Sequence, residues 1–407
     1  MATAEADPPD LLAGVRVLDL TNVLAGPFAS YQMALFGAEV VKVEVPHRGD
    51  LARKLGADAA LNEQLLGTSF LAQNAGKRSI TLDLKSAAGR RILERLIARS
   101  DVLLENFRPG VLARLGFPDE HLRELNPKLV YCAISGFGRT GPMRDRPAYD
   151  QIIQGLSGMM SVTGTAETAP LRAGFPIGDT LGGMAAAFAV SAALVRAERT
   201  GRGAALDLSM LETAITALGW VVSNHLIAGH PSAPIGNENA TAAPSGTFRT
   251  ADGHLNIAAN EQGQFEELCR LIGAPELARD ERFADRETRK RHRDALREQL
   301  EDRLRQATAL HWEQTLSAAG VPAARVLDIA EVLALDQLQD REFLHDVPFP
   351  GRPADTVPVA GGGTRVDGEP RAPRGAPPLL GEHTAELLGE IGYDAAEIAA
   401  LREQGVV

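Results

Sequence analysis

Cysteine is nearly missing from this chain: two residues in 407, Cys132 and Cys269, far apart in sequence. That excludes a disulfide framework and a thiolate metal site, and a reducing cytoplasm is expected. The histidines, among them His47, His225, His230, His254 and His383, are scattered with no H-E-x-x-H or similar ligand spacing, so no metal site is expected. No G-x-S-x-G elbow occurs, which leaves a serine nucleophile without support. Positive charge is in deficit, 42 Lys and Arg against 53 Asp and Glu, and the net charge of −11 argues against a nucleic-acid or anionic-membrane partner. The most apolar stretch, Met184 to Val195, is too short to span a bilayer. The start, Met1 to Asp7, is acidic and lacks a basic region followed by an apolar one, so no leader is expected. A soluble cytoplasmic protein is the expectation.

What is present is an ordinary globular composition, 44% hydrophobic and 23% charged, in a chain long enough for two domains. Val15–Leu20 alternates as a strand, Ala25-Gly26-Pro27 turns into a helix over Phe28–Phe36, and Val40–Glu44 is a second strand. The pattern recurs: Ser79–Leu84, a helix from Ser86 to Arg99 with Ser86 as N-cap, then Val102–Leu104 and Leu129–Ile134. Repeated strand–helix–strand units imply a parallel sheet with helices on both faces. A long small-residue helix is expected from Asp179 to Arg199, and His230–Pro244, rich in Gly, Pro, Asn and Ala, reads as a linker or loop. The charge-dense stretch Arg279–Arg305 reads as a solvated helix face.

Three motifs bear on chemistry. Gly136-Phe137-Gly138-Arg139-Thr140-Gly141 fits G-x-G-x-x-G after a strand, but Pro142 follows and no helix begins, so it lacks the helix N-terminus a dinucleotide needs. Lys77, Arg108 and Arg114 stand near glycine turns beside strands, with Phe107 as an aromatic face; they read either as phosphate partners or as surface charges. Asp179, in Gly178-Asp179-Thr180-Leu181-Gly182-Gly183, opens an apolar helix and reads as its N-cap and as a nucleophile, roles that are compatible because a helix N-terminus keeps a carboxylate ionised. The pair Tyr149-Asp150 supplies a hydroxyl and a second carboxylate.

Taken in order, Ala25-Gly26-Pro27, Lys42-Val43-Glu44, Lys77-Arg78-Ser79-Ile80, Glu105-Asn106-Phe107-Arg108-Pro109-Gly110, Ala148-Tyr149-Asp150, Gly178-Asp179 and Thr200-Gly201-Arg202-Gly203 resemble the class III coenzyme A-transferases, the family of formyl-CoA transferase and carnitine CoA-transferase. The resemblance runs from Leu12 to about His383. It implies an α/β fold with a doubly wound, Rossmann-like large domain (1–225), a smaller α+β domain (226–330) and a C-terminal segment (331–407) returning to the first, two chains being interlocked in a homodimer. It implies Asp179 as catalytic aspartate, with Tyr149 and Asp150 near the reacting thioester, and Val23, Leu24, Ala25, Asn74, Lys77, Asn106, Phe107, Arg108 and Arg114 around coenzyme A. The loop Gly236-Asn237-Glu238-Asn239 falls where some members carry a run of glycines, which this chain lacks.

The implied activity moves coenzyme A from an acyl-CoA, succinyl-CoA on a looser likeness to the succinyl-CoA:dicarboxylate members, to a small carboxylic or dicarboxylic acid. An aspartate nucleophile would do so through a mixed anhydride and an aspartyl-CoA thioester, with backbone N–H groups near Gly178 or from the Gly236 loop as oxyanion donors. The α-methylacyl-CoA racemases share the fold but carry histidine where Tyr149 stands. Proton removal and return needs two bases of matched pKa, and tyrosine, near 10, is a poor one. Transfer is therefore expected over racemisation or a non-catalytic acyl-CoA-binding role.

Overall fold

The computed structural model of the chain describes residues 10–407; Met1–Asp7, where no leader is expected, lies outside them. The chain divides into two compact units. The first runs through Met159 and takes in Arg172–Gly229 and Gln337–Val407; the second comprises Met160–Leu171 and His230–Asp336.

In the first unit six strands form one sheet: β1 (Arg16–Asp19), β2 (Glu39–Glu44), β3 (Arg78–Thr81), β4 (Val102–Glu105), β5 (Val130–Ser135) and β6 (Ala204–Ser209). Every pairing is parallel and the order is β3-β2-β1-β4-β5-β6, so the fold is mixed α/β with a parallel sheet. Both faces are covered, which is why these strands read as apolar runs. Alternate side chains enter different cores: Val102 and Leu104 of β4 pack with Ala29, Met33 and Val190, whereas Leu103 packs with Ile92, Leu96 and Leu387.

Five helices of this unit matter for the site: α1 (Ala25–Leu35), α2 (Ala87–Ile97), α3 (Asp150–Leu156), α4 (Ile177–Thr200) and α5 (Met210–Ala217). α2 starts as the sequence predicts, with Ser86 Oγ accepting the Gly89 N–H at 2.9 Å. α4 is longer than its most apolar stretch suggests. Its 24 residues meet the length and composition of a membrane span, which corrects the argument from shortness. The helix lies along α1, β5, β6 and α5, with Ala186 and Val190 fully buried in the core. The next helix, α6 (Trp220–Ala228), is apolar and has no buried residue.

The second unit holds an antiparallel sheet, β7 (Ser245–Arg249), β8 (His254–Ala258) and β9 (Ala323–Arg325), in that order. Helices Gln262–Leu271, Arg293–Leu304 and Ala309–Ala318 cover it. Within the charge-dense stretch, Leu296, Leu300 and Leu304 are buried at four-residue spacing. Arg289 departs from the solvated reading, being buried with its guanidinium donating to the carbonyls of Ala243 and Phe283 at 2.7 and 3.0 Å.

Candidate active site

Strand order reverses between β1 and β4, so the loops at their carboxyl ends border a crevice. The loop after β1 is held firmly. Asn106, just past β4, grips Asn22 twice: its Oδ1 accepts the Asn22 N–H and its Nδ2 donates to the Asn22 carbonyl, each at 2.8 Å. Val23 stands at φ 69°, a left-handed conformation that strains a β-branched residue. Its N–H donates to Asp50 Oδ1 at 2.9 Å, and Leu24 leads into α1 at Ala25.

Under this loop lies a layer of buried charge. Lys42 Nζ meets Asp50 Oδ2 at 2.8 Å and the Thr21 carbonyl at 2.9 Å. Arg53 clasps Glu44 through two bonds of 2.7 Å. Lys77 Nζ donates to Ser30 Oγ at 2.8 Å and to the Pro27 carbonyl at 3.0 Å, and lies 3.2 Å from Asp19 Oδ2. Burial pushes the Asp19 carboxyl up, but the ammonium groups of Lys42 and Lys77, with the hydroxyls of Ser30 and Thr21, outweigh it and keep it ionised. Burial brings Lys77 down to about 8 against the opposing pull of Asp19. Each charge in the layer has a partner, the condition on which buried charge is tolerated.

Over the carboxyl ends of β1 to β4 opens a mainly apolar cavity of about 270 Å³, walled by Leu20, Val43, Leu82 and Phe107 with Asn22, Glu44, Arg48, Asp83 and Lys85 as polar members. Glu105, buried at the end of β4, accepts the Phe107 N–H at 2.7 Å and the Tyr131 hydroxyl at 2.8 Å; burial pushes its carboxyl up to about 7. Two residues beyond Phe107, a second cavity of about 320 Å³ is lined by Pro109, Gly110, Arg114, Arg139 and Arg144, with Asp145. Arg139 is itself forked to Asp119 at 2.6 and 3.0 Å. An apolar slot next to a cationic one suits a ligand with a flat ring at one end and anionic groups along it.

Asp179 is the third residue of α4 and does not cap it. Pro176 holds the cap position, and the free N–H groups are met from another helix: Asp150 Oδ1 accepts from Gly178 at 2.7 Å and, more loosely, from Asp179 at 3.4 Å. The capping expectation is thereby corrected, because the Asp179 carboxylate is not spent on its own helix. Of the oxyanion donors expected near Gly178 or from the Gly236 loop, the N–H groups of Gly178 and Gly236 themselves are already engaged. The first N–H is taken by Asp150, and the second donates to the Gly164 carbonyl at 2.7 Å. Gly183 shares Asp179's helix face one turn on. It lies so near α1 that a Cβ there would fall 2.5 Å from the Ala25 carbonyl, so Asp179 stands one helical turn from the end of the β1 loop. Burial first, then the charge of Asp150, push the Asp179 carboxyl up to about 7.

Residues 12–384 match the pattern of CoA-transferase family III. The chain belongs to that family. It is 38% identical over 395 residues to the succinate–glutarate CoA-transferase of Agrobacterium fabrum, covering 94% of this chain and 96% of that one. To the acetyl-CoA:oxalate CoA-transferase of Acetobacter aceti it is 40% identical over 355 residues, 86% of this chain and 90% of that one. A solved CaiB/BaiF family protein from Brucella suis superposes with a TM-score of 0.82 at 34% identity, over 94% of this chain and all of that one.

In this family III CoA-transferase the expected ligand residues fall into three groups. Val23, Leu24, Ala25, Asn106 and Phe107 gather at the crevice, and Arg108 and Arg114 are exposed on the loop and short helix beyond it. Asn74 and Lys77 are buried; Asn74 Nδ2 donates to the Phe70 carbonyl, and the Lys77 ammonium is engaged inside the protein. Tyr149, just ahead of α3, is 70% exposed, whereas Asp150 is buried. Arg48 and Lys85, which follow β2 and β3, were missed, although the rule that ligands meet the loops after parallel strands points to both. Gln154 on α3 was also missed, and only its contacts reveal it. Among the described residues no His, Cys, Asp or Glu groups converge as metal ligands.

Proposed function

We propose that this family III enzyme carries coenzyme A from succinyl-CoA to a small dicarboxylic acid, with Asp179 as nucleophile. The observation that carries the reading is the carboxyl of Asp179: relieved of capping, raised to about 7, and one turn from the β1 loop. Relatives named for succinate, glutarate and oxalate support a dicarboxylate acceptor. The flat end of coenzyme A is assigned to the cavity beside Phe107, and its phosphates to Arg48, Arg108 and Arg114.

In the first step an Asp179 oxygen attacks the donor thioester carbonyl, the C–S bond breaks and CoA leaves as thiolate, giving a mixed anhydride. The thiolate then attacks the aspartyl carbonyl and expels the donor acid as carboxylate, leaving an aspartyl-CoA thioester. The acceptor carboxylate attacks that thioester, again releasing thiolate. Thiolate attack on the acceptor carbonyl yields the new acyl-CoA and restores Asp179. Thioester energy is retained throughout, which a serine ester would forfeit. Both cysteines are free and buried, which suits a cytoplasmic setting.

A homodimer is part of the proposal. On α4, Met184, Phe188 and Val195 share an exposed face, Phe188 at 78%, and Leu226 and Ile227 of α6 are exposed at 75% and 86%. Apolar surface of this kind marks a protein partner.

Asp179→Ala is expected to cut transfer by about 10⁴-fold or more while coenzyme A still binds. Activity near wild type in that variant would end the nucleophile assignment. Hydroxylamine added with succinyl-CoA is expected to convert Asp179 to a hydroxamate, displacing CoA thiolate, as read by mass spectrometry of the peptide. A panel of dicarboxylates with succinyl-CoA identifies the acceptor. α-Proton exchange into deuterated water, with no acyl transfer, would favour the racemase instead.

A further inference from the structure

Asp150 and Gln154 lie one turn apart on α3, both buried, at 7% and 1% exposure. Their side chains reach the backbone that leads into Asp179. Gln154 Oε1 accepts the Ala173 N–H at 2.9 Å, and its Nε2 donates to the Phe175 carbonyl at 3.3 Å and to Asp150 Oδ2 at 2.7 Å. Asp150 Oδ1 takes the Gly178 N–H at 2.7 Å. The two residues therefore engage Ala173, Phe175 and Gly178 of a segment that has no regular structure before Ile177 and whose helix has no side-chain cap of its own.

We infer that α3 is a clamp for the nucleophile: Gln154 and Asp150 are positioning residues that fix the Ala173–Asp179 segment, and the Asp150 carboxylate moves the pH range in which Asp179 works beyond where burial alone would put it. The inference rests on Asp179 being the nucleophile. The chemistry asks for such a device, since a misplacement of about 1 Å costs on the order of 100-fold in rate.

The electrostatic half is specific to Asp150. Elements packed on α4 bring few ionisable groups: Tyr31 on α1, Tyr131 and Cys132 on β5, Asp207 on β6, Glu212 on α5 and Asp150 on α3. Arg172 approaches Asp150 Oδ2 only to 3.9 Å and is half-exposed. Of these, Asp150 is the one whose charge acts on the Asp179 carboxyl, adding to burial. By taking the Gly178 N–H, Asp150 also occupies the helix N-terminus that would otherwise favour an ionised Asp179.

The test is steady-state kinetics of the full-length enzyme with succinyl-CoA across pH 5–9 on three variants. Gln154→Met keeps the volume and removes all three hydrogen bonds; it should lower kcat by about 10- to 100-fold with the KM for succinyl-CoA within about twofold. Asp150→Asn keeps an acceptor for Gly178 and removes the charge; it should move the acid limb of kcat/KM down by at least about half a pH unit. Asp179→Ala reports on the reading beneath. If it retains transfer, the nucleophile assignment falls and the clamp with it. If it is inactive while Gln154→Met keeps kcat within about twofold and Asp150→Asn leaves the limb within about 0.2 units, the clamp alone is overturned. Should Gln154→Met fail to fold, as judged by thermal melting, the Asp150→Asn profile decides.

Discussion

At the scale of single residues, the proposed chemistry turns on how one carboxyl is held near neutrality. Asp179 reaches about 7 through burial and then the neighbouring charge of Asp150, and only its ionised form can serve as the proposed nucleophile. The acid limb of kcat/KM is therefore expected close to pH 7, falling as pH drops, and absent from any residual activity of Asp179→Asn. Stability runs the opposite way. A carboxyl raised in the folded state from about 4 in the unfolded chain binds its proton more tightly when folded. The stability it contributes is present below about pH 4 and is lost as pH rises through 7. Asp179→Asn, which cannot ionise, should melt above wild type at pH 8, with the gap closing towards pH 4, as checked by calorimetry. Glu105 offers a second reading at this scale. Glu105→Gln, with its buried hold on Phe107 and Tyr131 weakened, should raise the KM for succinyl-CoA several-fold and leave kcat nearly unchanged.

At the scale of elements, the site depends on how closely α4 can approach α1. Gly183 is a point of close approach, with the Ala25 carbonyl at 2.5 Å and Phe28 at 2.9 Å from where a Cβ would sit. Gly183→Ala must force the helices apart, at a cost of about 1–3 kcal/mol. Because Ala25 ends the β1 loop and Asp179 precedes Gly183 by one turn, the same shift should raise the KM for acyl-CoA. Chemical denaturation and kinetics on one preparation test both; unchanged stability would show that the helices give way without cost. Ser86 is a simpler element-scale feature, visible as an N-cap from the residues alone and found so. Asp179 looked equally like a cap. It is not one, because a cap supplied from another helix leaves no mark in the local sequence.

At the scale of the whole molecule, the proposed homodimer rests on the exposed apolar faces of α4 and α6. Phe188→Asp combined with Ile227→Asp is expected to shift the protein from dimer to monomer in sedimentation velocity, and a wild type that sediments as monomer at micromolar concentration would remove the dimer from the proposal. The length of α4 belongs here as well. By hydropathy it could cross a membrane, yet its small residues let it lie flat against α1 and the sheet edge, with Ala186 and Val190 wholly enclosed.

The sequence by itself determined the parallel sheet, since strands apolar on both sides and separated by helices can bury themselves in few other ways. It also determined the family and the candidacy of Asp179, through short motifs whose spacing survives in one dimension. Only the tertiary structure decided what each charged residue does. Lys77 and Arg114 look alike beside their glycine turns, but one is sealed under the β1 loop with Asp19 and the other is exposed. Asp150 and Asp179 stand 29 positions apart and meet only because α3 packs across the start of α4. Burial and the pairing of distant charges are sums over neighbours in space, and no local stretch of chain contains them.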